Sequence, residues 1–172
     1  DLFEQDPSVL YLSTHQSSIY PGTGGLNEVG QGEGTGSVVN IPLPPRAGDQ
    51  AFAAITERVI TPIAERFSPD ILLISAGFDA HWNDPLASLQ LTTSGYSELG
   101  KALVELAEAL CQGRIIYLLE GGYDPQDLYD NIMAIMHTLA GVPPPDDRLG
   151  PAPFPETSIN DLLANILAIH DL

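Results

Sequence analysis

Apolar residues fall along this chain in two rhythms. Short, near-continuous runs alternate with longer stretches in which an apolar residue recurs every third or fourth position. The runs are Val9-Leu10-Tyr11-Leu12-Ser13, Ser37 to Leu43, Asp70-Ile71-Leu72-Leu73-Ile74-Ser75 and Arg114-Ile115-Ile116-Tyr117-Leu118-Leu119. Their length and bounding turn residues predict β-strands, and their continuity suits a parallel sheet buried on both faces. In the longer rhythm, Phe52, Ile55, Val59, Ile63 and Phe67 share a stripe. That stripe predicts a helix over 49–67 with Asp49 as candidate N-cap. Pro62 falls inside it and should kink or split it. Thr92 or Thr93 is expected to cap a helix to about Leu110, with Leu99, Leu103, Leu106 and Leu110 inward and Gly113 as its breaker. Asp124 followed by Pro125 predicts another helix start, and Gly141 its stop. A last amphipathic stretch runs from Ile159 to Ile169.

Strand–helix–strand–helix order predicts an α/β fold with a parallel sheet. Residues 1–142 read as one body. Residues 143–156, with Pro143, Pro144, Pro145, Pro151, Pro153 and Pro155, read as a Pro-rich tether. Residues 157–172 read as a terminal helix that docks back on the domain. The glycines between Gly22 and Gly36 promise tight turns and close backbone approach. They lack the strand-to-helix context of a phosphate-binding loop.

Composition narrows the partners. The chain has 172 residues, 23 Asp+Glu against 6 Lys+Arg, and a formal net charge of −17. Nucleic acid as a direct partner is disfavoured, because phosphates call for clustered cations. An anionic membrane surface is disfavoured for the same reason. A cationic small molecule or basic peptide is permitted, although a solvated acidic surface explains the charge as simply. No apolar run approaches the roughly 20 residues of a bilayer span. The single cysteine, Cys111, excludes an internal disulfide and a Cys-rich zinc module, and fits a reducing compartment such as the cytoplasm. Asp1-Leu2-Phe3-Glu4 carries neither a basic stretch nor an initiator Met, so neither a signal peptide nor a native N-terminus is expected.

Ligands of open parallel sheets gather beyond the carboxyl ends of the strands. Three loops leave such ends, after Ser13, Ser75 and Leu119. The second reads Ser-Ala-Gly-Phe-Asp-Ala-His-x-x-Asp-Pro-Leu over residues 75–86 and leads to Leu-x-Leu-Thr. The third reads Leu-Glu-Gly-Gly-Tyr over residues 119–123. Upstream stand Val9 to His15, Tyr20-Pro21-Gly22-Thr23-Gly24 and the glycine-spaced run from Glu28. Together, and in this order, these segments resemble the zinc-dependent histone deacetylase family, its bacterial and class II-like branch most of all, over about residues 1–141.

The resemblance implies a three-layer αβα arginase/deacetylase fold and metal-assisted hydrolysis of an N-acetylated amine. In that family zinc is held by two Asp and one His, and Asp79 matches the third ligand. Tyr123 matches the tyrosine that donates a hydrogen bond to the substrate oxygen as it gains charge. Gly121 and Gly122 would let the backbone come close beside it. Tyr20 and Leu86 match positions lining the channel for an acyl-lysine stem. The family also binds monovalent cations such as K+. Ser13 and Thr14 match the inner site, and Phe3, Asp6 and Val9 the outer one.

The family's Asp-x-Asp-x-His and His-Gly-Asn-Gly-Thr motifs have no counterpart here. Neither do its tandem general-base histidines, since the four histidines are His15, His81, His137 and His170. The chain therefore reads as the C-terminal part of a deacetylase catalytic domain, lacking the N-terminal half and inactive alone. His81 reads as a loop residue rather than a ligand, His15 as hydrogen-bonded within the fold and His137 as structural. Asp84-Pro85 reads as turn chemistry and Cys111 as a small buried hydrophobe. Glu120 could support the site or simply end its strand. Two rival functions stand beside the lysine deacetylase. One is an acetylpolyamine or other small-molecule amidohydrolase, disfavoured by neutral Leu86 where polyamine specialists resemble one another in carrying an acid. The other is a non-catalytic interaction module, and a halved sheet should leave apolar surface open.

Overall fold

The computed structural model describes residues 2–19 and 22–172. Two parallel strand pairs organise it. β1 (Tyr11–Gln16) pairs with β2 (Val38–Leu43), from Tyr11↔Val38 to Gln16↔Leu43. β3 (Leu72–Ala76) pairs with β4 (Ile115–Leu119), from Leu72↔Ile115 to Ala76↔Leu119. β1 starts later than the apolar run suggests. The Val9 amide is already used in a turn, donating to the Asp6 carbonyl at 3.3 Å.

The helix expected over 49–67 is split, and the proline explains how. α1 (Asp49–Ile55) passes into a π-helical segment (Thr56–Ile60), and α2 (Thr61–Phe67) restarts with Pro62 in its first turn. Pro62 has no N–H for the carbonyl four residues back, so the helix widens just before it. Asp49 is not the cap of α1. Its carboxylate accepts from the Thr92 amide at 2.9 Å and the Thr92 hydroxyl at 2.7 Å. The free N–H groups of α1 instead meet Glu156, which accepts from Gly48 at 3.1 Å, Gln50 at 3.0 Å and Ala51 at 3.2 Å. A helix start takes whichever acceptor packing delivers.

α3 (Thr93–Cys111) is capped by Thr92, whose hydroxyl accepts from the Gly95 amide at 2.9 Å. It ends through Gln112 and Gly113, at φ 57° and 74°. Of the four leucines expected inward, Leu106 is buried and Leu99, Leu103 and Leu110 are half-buried. α4 (Pro125–Leu139) is capped by Asp124, which accepts from the amides of Gln126 and Asp127. α3 and α4 pack together, with Ile135 tight against Gly100.

The core gathers around β2, where Val39, Ile41 and Leu43 are fully buried beside Ile55, Val59, Ile63 and Leu91. α5 (Asn160–His170) adds Leu163 and Ile166 to it. Between α4 and α5 the proline-rich segment is stitched to the body. Asp147 accepts from the Ser94 amide at 3.1 Å, and the Trp82 indole donates to the Gly150 carbonyl at 3.3 Å. Gln90 brackets Phe154 with both ends of its amide. His137 Nδ1 lies 2.6 Å from the Pro143 carbonyl oxygen, and Cys111 is buried.

The expectation of strands buried on both faces holds for β2 alone; β1 is half-buried, and the second pair is open on one face. Leu73 is 62% exposed, Ile116 49% and Leu118 48%. Leu72, Ile74 and Tyr117 point the other way and are half-buried, Tyr117 packing on the core. The period of two in a strand puts alternate residues on opposite faces, and the described chain covers only one of them.

Candidate active site

The loops after β3 and β4 leave neighbouring strands at their carboxyl ends and are tied together at once. The Glu120 amide donates to the Ala76 carbonyl at 3.0 Å, and the Phe78 amide to the Gly121 carbonyl at 2.9 Å. Asp79 follows Phe78 and lays its carboxylate against the backbone of the opposite loop. A Cβ on Gly121 would sit 3.0 Å from the Asp79 carboxyl carbon, and one on Gly77 would sit 2.9 Å from Oδ1. Those two glycines are the slot that admits the acid. Gly122 has φ 126°, and a Cβ there would meet Leu128 at 2.9 Å and Phe78 at 3.1 Å. Only glycine satisfies both the conformation and the space.

Burial pushes the Asp79 carboxyl above the usual carboxylate range, and the charge of Asp84 adds to the rise. Among the described residues no group of three or more His, Cys, Asp or Glu is placed to hold a metal. Zinc sites draw three or four protein ligands, so Asp79 alone does not make one. Beneath the loop, the Tyr96 hydroxyl donates to the Gly77 carbonyl at 3.2 Å, and its ring packs on Phe78 with centroids 5.1 Å apart. Burial drives the Tyr96 phenol well above its ordinary value and keeps it a donor.

Tyr123 stands beyond the glycines with its side chain in the open, 54% exposed. Its amide donates to Asp84 Oδ2 at 2.7 Å. The other oxygen of Asp84 accepts from the Leu86 amide at 2.8 Å, and Leu86 is itself 67% exposed. Asp79, Leu86, Gly121, Gly122 and Tyr123 are thus brought to one place. Tyr20 lies outside the described residues. Asp84 is the residue whose part the sequence hid. The local pattern Asn83-Asp84-Pro85 signals a turn, and the turn is there, but the bond to Tyr123 is not a local one.

His81 is 1% exposed. Its Nδ1 accepts from the Asn83 amide at 3.3 Å and lies 3.6 Å from Asp127 Oδ2. Burial lowers its pKa, opposed by the Asp127 charge. Asp127 also accepts from Asn83 Nδ2 at 2.7 Å and from Arg148 at 2.8 Å. Glu120 accepts from the Ser75 hydroxyl at 3.2 Å on the exposed face. His15 is held within the fold, with Nδ1 2.9 Å from the Ser13 hydroxyl and Nε2 3.1 Å from the Gly24 carbonyl oxygen. Phe3, Asp6 and Val9 share the turn before β1, where the Asp6 amide donates to the Phe3 carbonyl at 3.0 Å. The Ser8 hydroxyl, at 2.6 Å from Asp6 Oδ1, helps hold the Asp6 carboxyl below its ordinary range. Ser13 and Thr14 sit apart from these, on β1. No helix among the described residues is long and apolar enough to cross a membrane.

Comparison with known proteins bears on the same residues. The model of the histone deacetylase domain matches residues 1–139. The chain is 46% identical over 141 residues to histone deacetylase 14, chloroplastic, of Arabidopsis thaliana, across 82% of this chain and 33% of that protein. It is 43% identical over 143 residues to a probable deacetylase of Archaeoglobus fulgidus, across 82% of this chain and 40% of that protein. The crystal structure of the HDA15 HD domain superposes with a TM-score of 0.82 at 36% identity, over 98% of this chain and 45% of that one. The chain spans a third to two fifths of the length of these two curated relatives.

Proposed function

The chain belongs to the histone deacetylase domain family, and from that premise we propose that it is part of a zinc-dependent amidohydrolase that removes acetyl groups from lysine side chains or related amines. Its fold is the α/β arginase/deacetylase fold. One observation carries the reading. Asp79 lies against Gly121, two residues before Tyr123, so a half-buried carboxylate and a phenol meet beyond the carboxyl ends of one strand pair.

In this reading Asp79 is one zinc ligand, and the remaining ligands and the general base belong to chain outside these residues. When bound, zinc supplies Lewis acidity toward the amide carbonyl and lowers the pKa of a water. The residues of this chain do the rest of their share by position. Gly121 and Gly122 keep the approach free of side chains. Tyr123 donates its phenolic hydrogen to the carbonyl oxygen as charge develops there, which stabilises the transition state more than the substrate. Leu86 and Tyr20 supply apolar walls for an alkyl stem. The acidic surface attracts a cationic acyl-amine. Phe3, Asp6, Val9, Ser13 and Thr14 are the proposed monovalent-cation ligands, with K+ the ion in our reading. The single buried thiol, Cys111, fits a reducing compartment, which we take as the cytoplasm. In our reading the isolated chain is inactive, because the other ligands and the base are supplied by chain outside these residues.

Tyr123→Phe tests the assignment. In the full-length protein, turnover of an acetyl-lysine peptide is expected to fall on the order of 100- to 1,000-fold, as for loss of an oxyanion donor. Unchanged turnover would remove Tyr123 from the chemistry and the reading with it.

A further inference from the structure

Asp84 is 8% exposed, and its two oxygens do different work. Oδ1 closes a local turn by accepting from Leu86, two residues on. Oδ2 reaches the Tyr123 amide, 39 positions along the chain, at 2.7 Å. The turn needs only the first bond. The Asp84 amide is also committed, donating to the His81 carbonyl at 3.0 Å, so the acid is fixed on its own side before it reaches across.

Tyr123 needs such a fixture. Its side chain is more than half exposed, so packing does little to hold it. Gly122 before it sits at φ 126° and has no side chain with which to pack and steady its neighbour. Asp124 after it is occupied in capping α4. A hydrogen bond from an amide to a carboxylate is roughly twice as strong as a neutral one. The bond from Asp84 therefore adds a strong constraint at the Tyr123 amide, while the cap at Asp124 holds the chain on the other side. The hydroxyl lies at the far end of a rigid ring, so a small tilt at the backbone becomes a large displacement at the oxygen. A misplacement of about 1 Å at a reacting centre costs on the order of 100-fold.

We propose that Asp84 is a positioning residue, holding the Tyr123 backbone so that its hydroxyl meets the substrate oxygen. The inference rests on the reading of Tyr123 given above and adds a residue that reading does not contain. It links the loop bearing Asp79 to the loop bearing Tyr123 through one carboxylate.

The experiment is a double-mutant cycle in the full-length, zinc-loaded protein, with an acetyl-lysine peptide as substrate. Asp84→Ala is expected to lower kcat about 10- to 100-fold, with KM and zinc per chain within about twofold of the parent. Asp84→Asn keeps one carbonyl acceptor and should lose less. In a Tyr123→Phe background either substitution should cost less than about twofold, because the hydroxyl it would misplace is gone. Equal losses in both backgrounds, or loss of zinc in step with activity, would make Asp84 a purely structural residue and overturn the proposal. A Tyr123→Phe protein with full turnover overturns the functional reading instead. Full turnover of Asp84→Ala beside a crippled Tyr123→Phe overturns only the positioning role. Thermal melting identifies folded variants, and if Asp84→Ala does not fold, the Asn substitution in the two backgrounds decides on the same criterion.

Discussion

β2 and β4 carry similar apolar runs in parallel pairs, yet they meet different surroundings. Val39, Ile41 and Leu43 of β2 are fully buried, whereas Ile116, Leu118 and Leu119 of β4 are about half exposed or more. β2 is covered by α5, on which the π-helical segment also packs, while β1 beside it stays half-buried. The second pair is covered on one face only. An apolar run states a demand for cover and does not say who supplies it. The family relatives are more than twice as long as this chain, and in our reading their additional chain supplies what β3 and β4 lack. The open pair is also the one whose loops bear Asp79 and Tyr123. The part of the molecule that chemistry would use is thus the part that folding within this chain leaves least enclosed.

The contrast can be broken most directly at its closed end. Ile41→Ala should destabilise this chain by about 2–5 kcal/mol, the usual cost of emptying a packed aliphatic site. Leu73→Ala should change it by less than about 0.5 kcal/mol, as for surface positions. Urea unfolding of both variants measures the pair of values. Equal losses would mean that the open face is covered in solution.

Glu156 gives a smaller effect on the same closed half. It caps α1 from more than a hundred residues away, and Glu156→Ala should cost about 1 kcal/mol, as loss of an N-cap does. A change near zero would show that water replaces the carboxylate without penalty.

The smallest effect is one of pH. Burial lowers the pKa of His170 at the end of α5 below the ordinary 6.5, with Arg66 reinforcing and Asp171 opposing. The unfolded chain then binds a proton that the folded chain resists. The stability this contributes is present above pH 6.5 and is lost as the pH falls below it. Melting at pH 7.5 and 5.5 should show a drop in Tm that is smaller in His170→Gln than in the parent. Identical drops would show that α5 docks without regard to the charge on that ring.

Several features were legible from sequence because they act within about four residues along the chain. Thr92 caps α3, Asp124 and Pro125 start α4, and Pro62 splits a helix through groups that are near neighbours in the sequence. The ordered motifs around Asp79 and Tyr123 likewise pointed to the family, because their glycines and acids are needed at fixed local spacings. Packing decided what remained. Asp49 left its expected cap for Thr92, and Glu156 took the vacancy, because a carboxylate bonds whichever N–H the fold presents. Asp84 was legible as a turn and not as the anchor of Tyr123, since its second oxygen answers to a distant loop. The sequence by itself determined the order and kind of the strands and helices and which chemistry the loops can carry. Only the tertiary structure decided which side chains meet across those loops and which apolar face is left open, since hydrogen bonds and burial between remote segments depend on distances that local patterns do not encode.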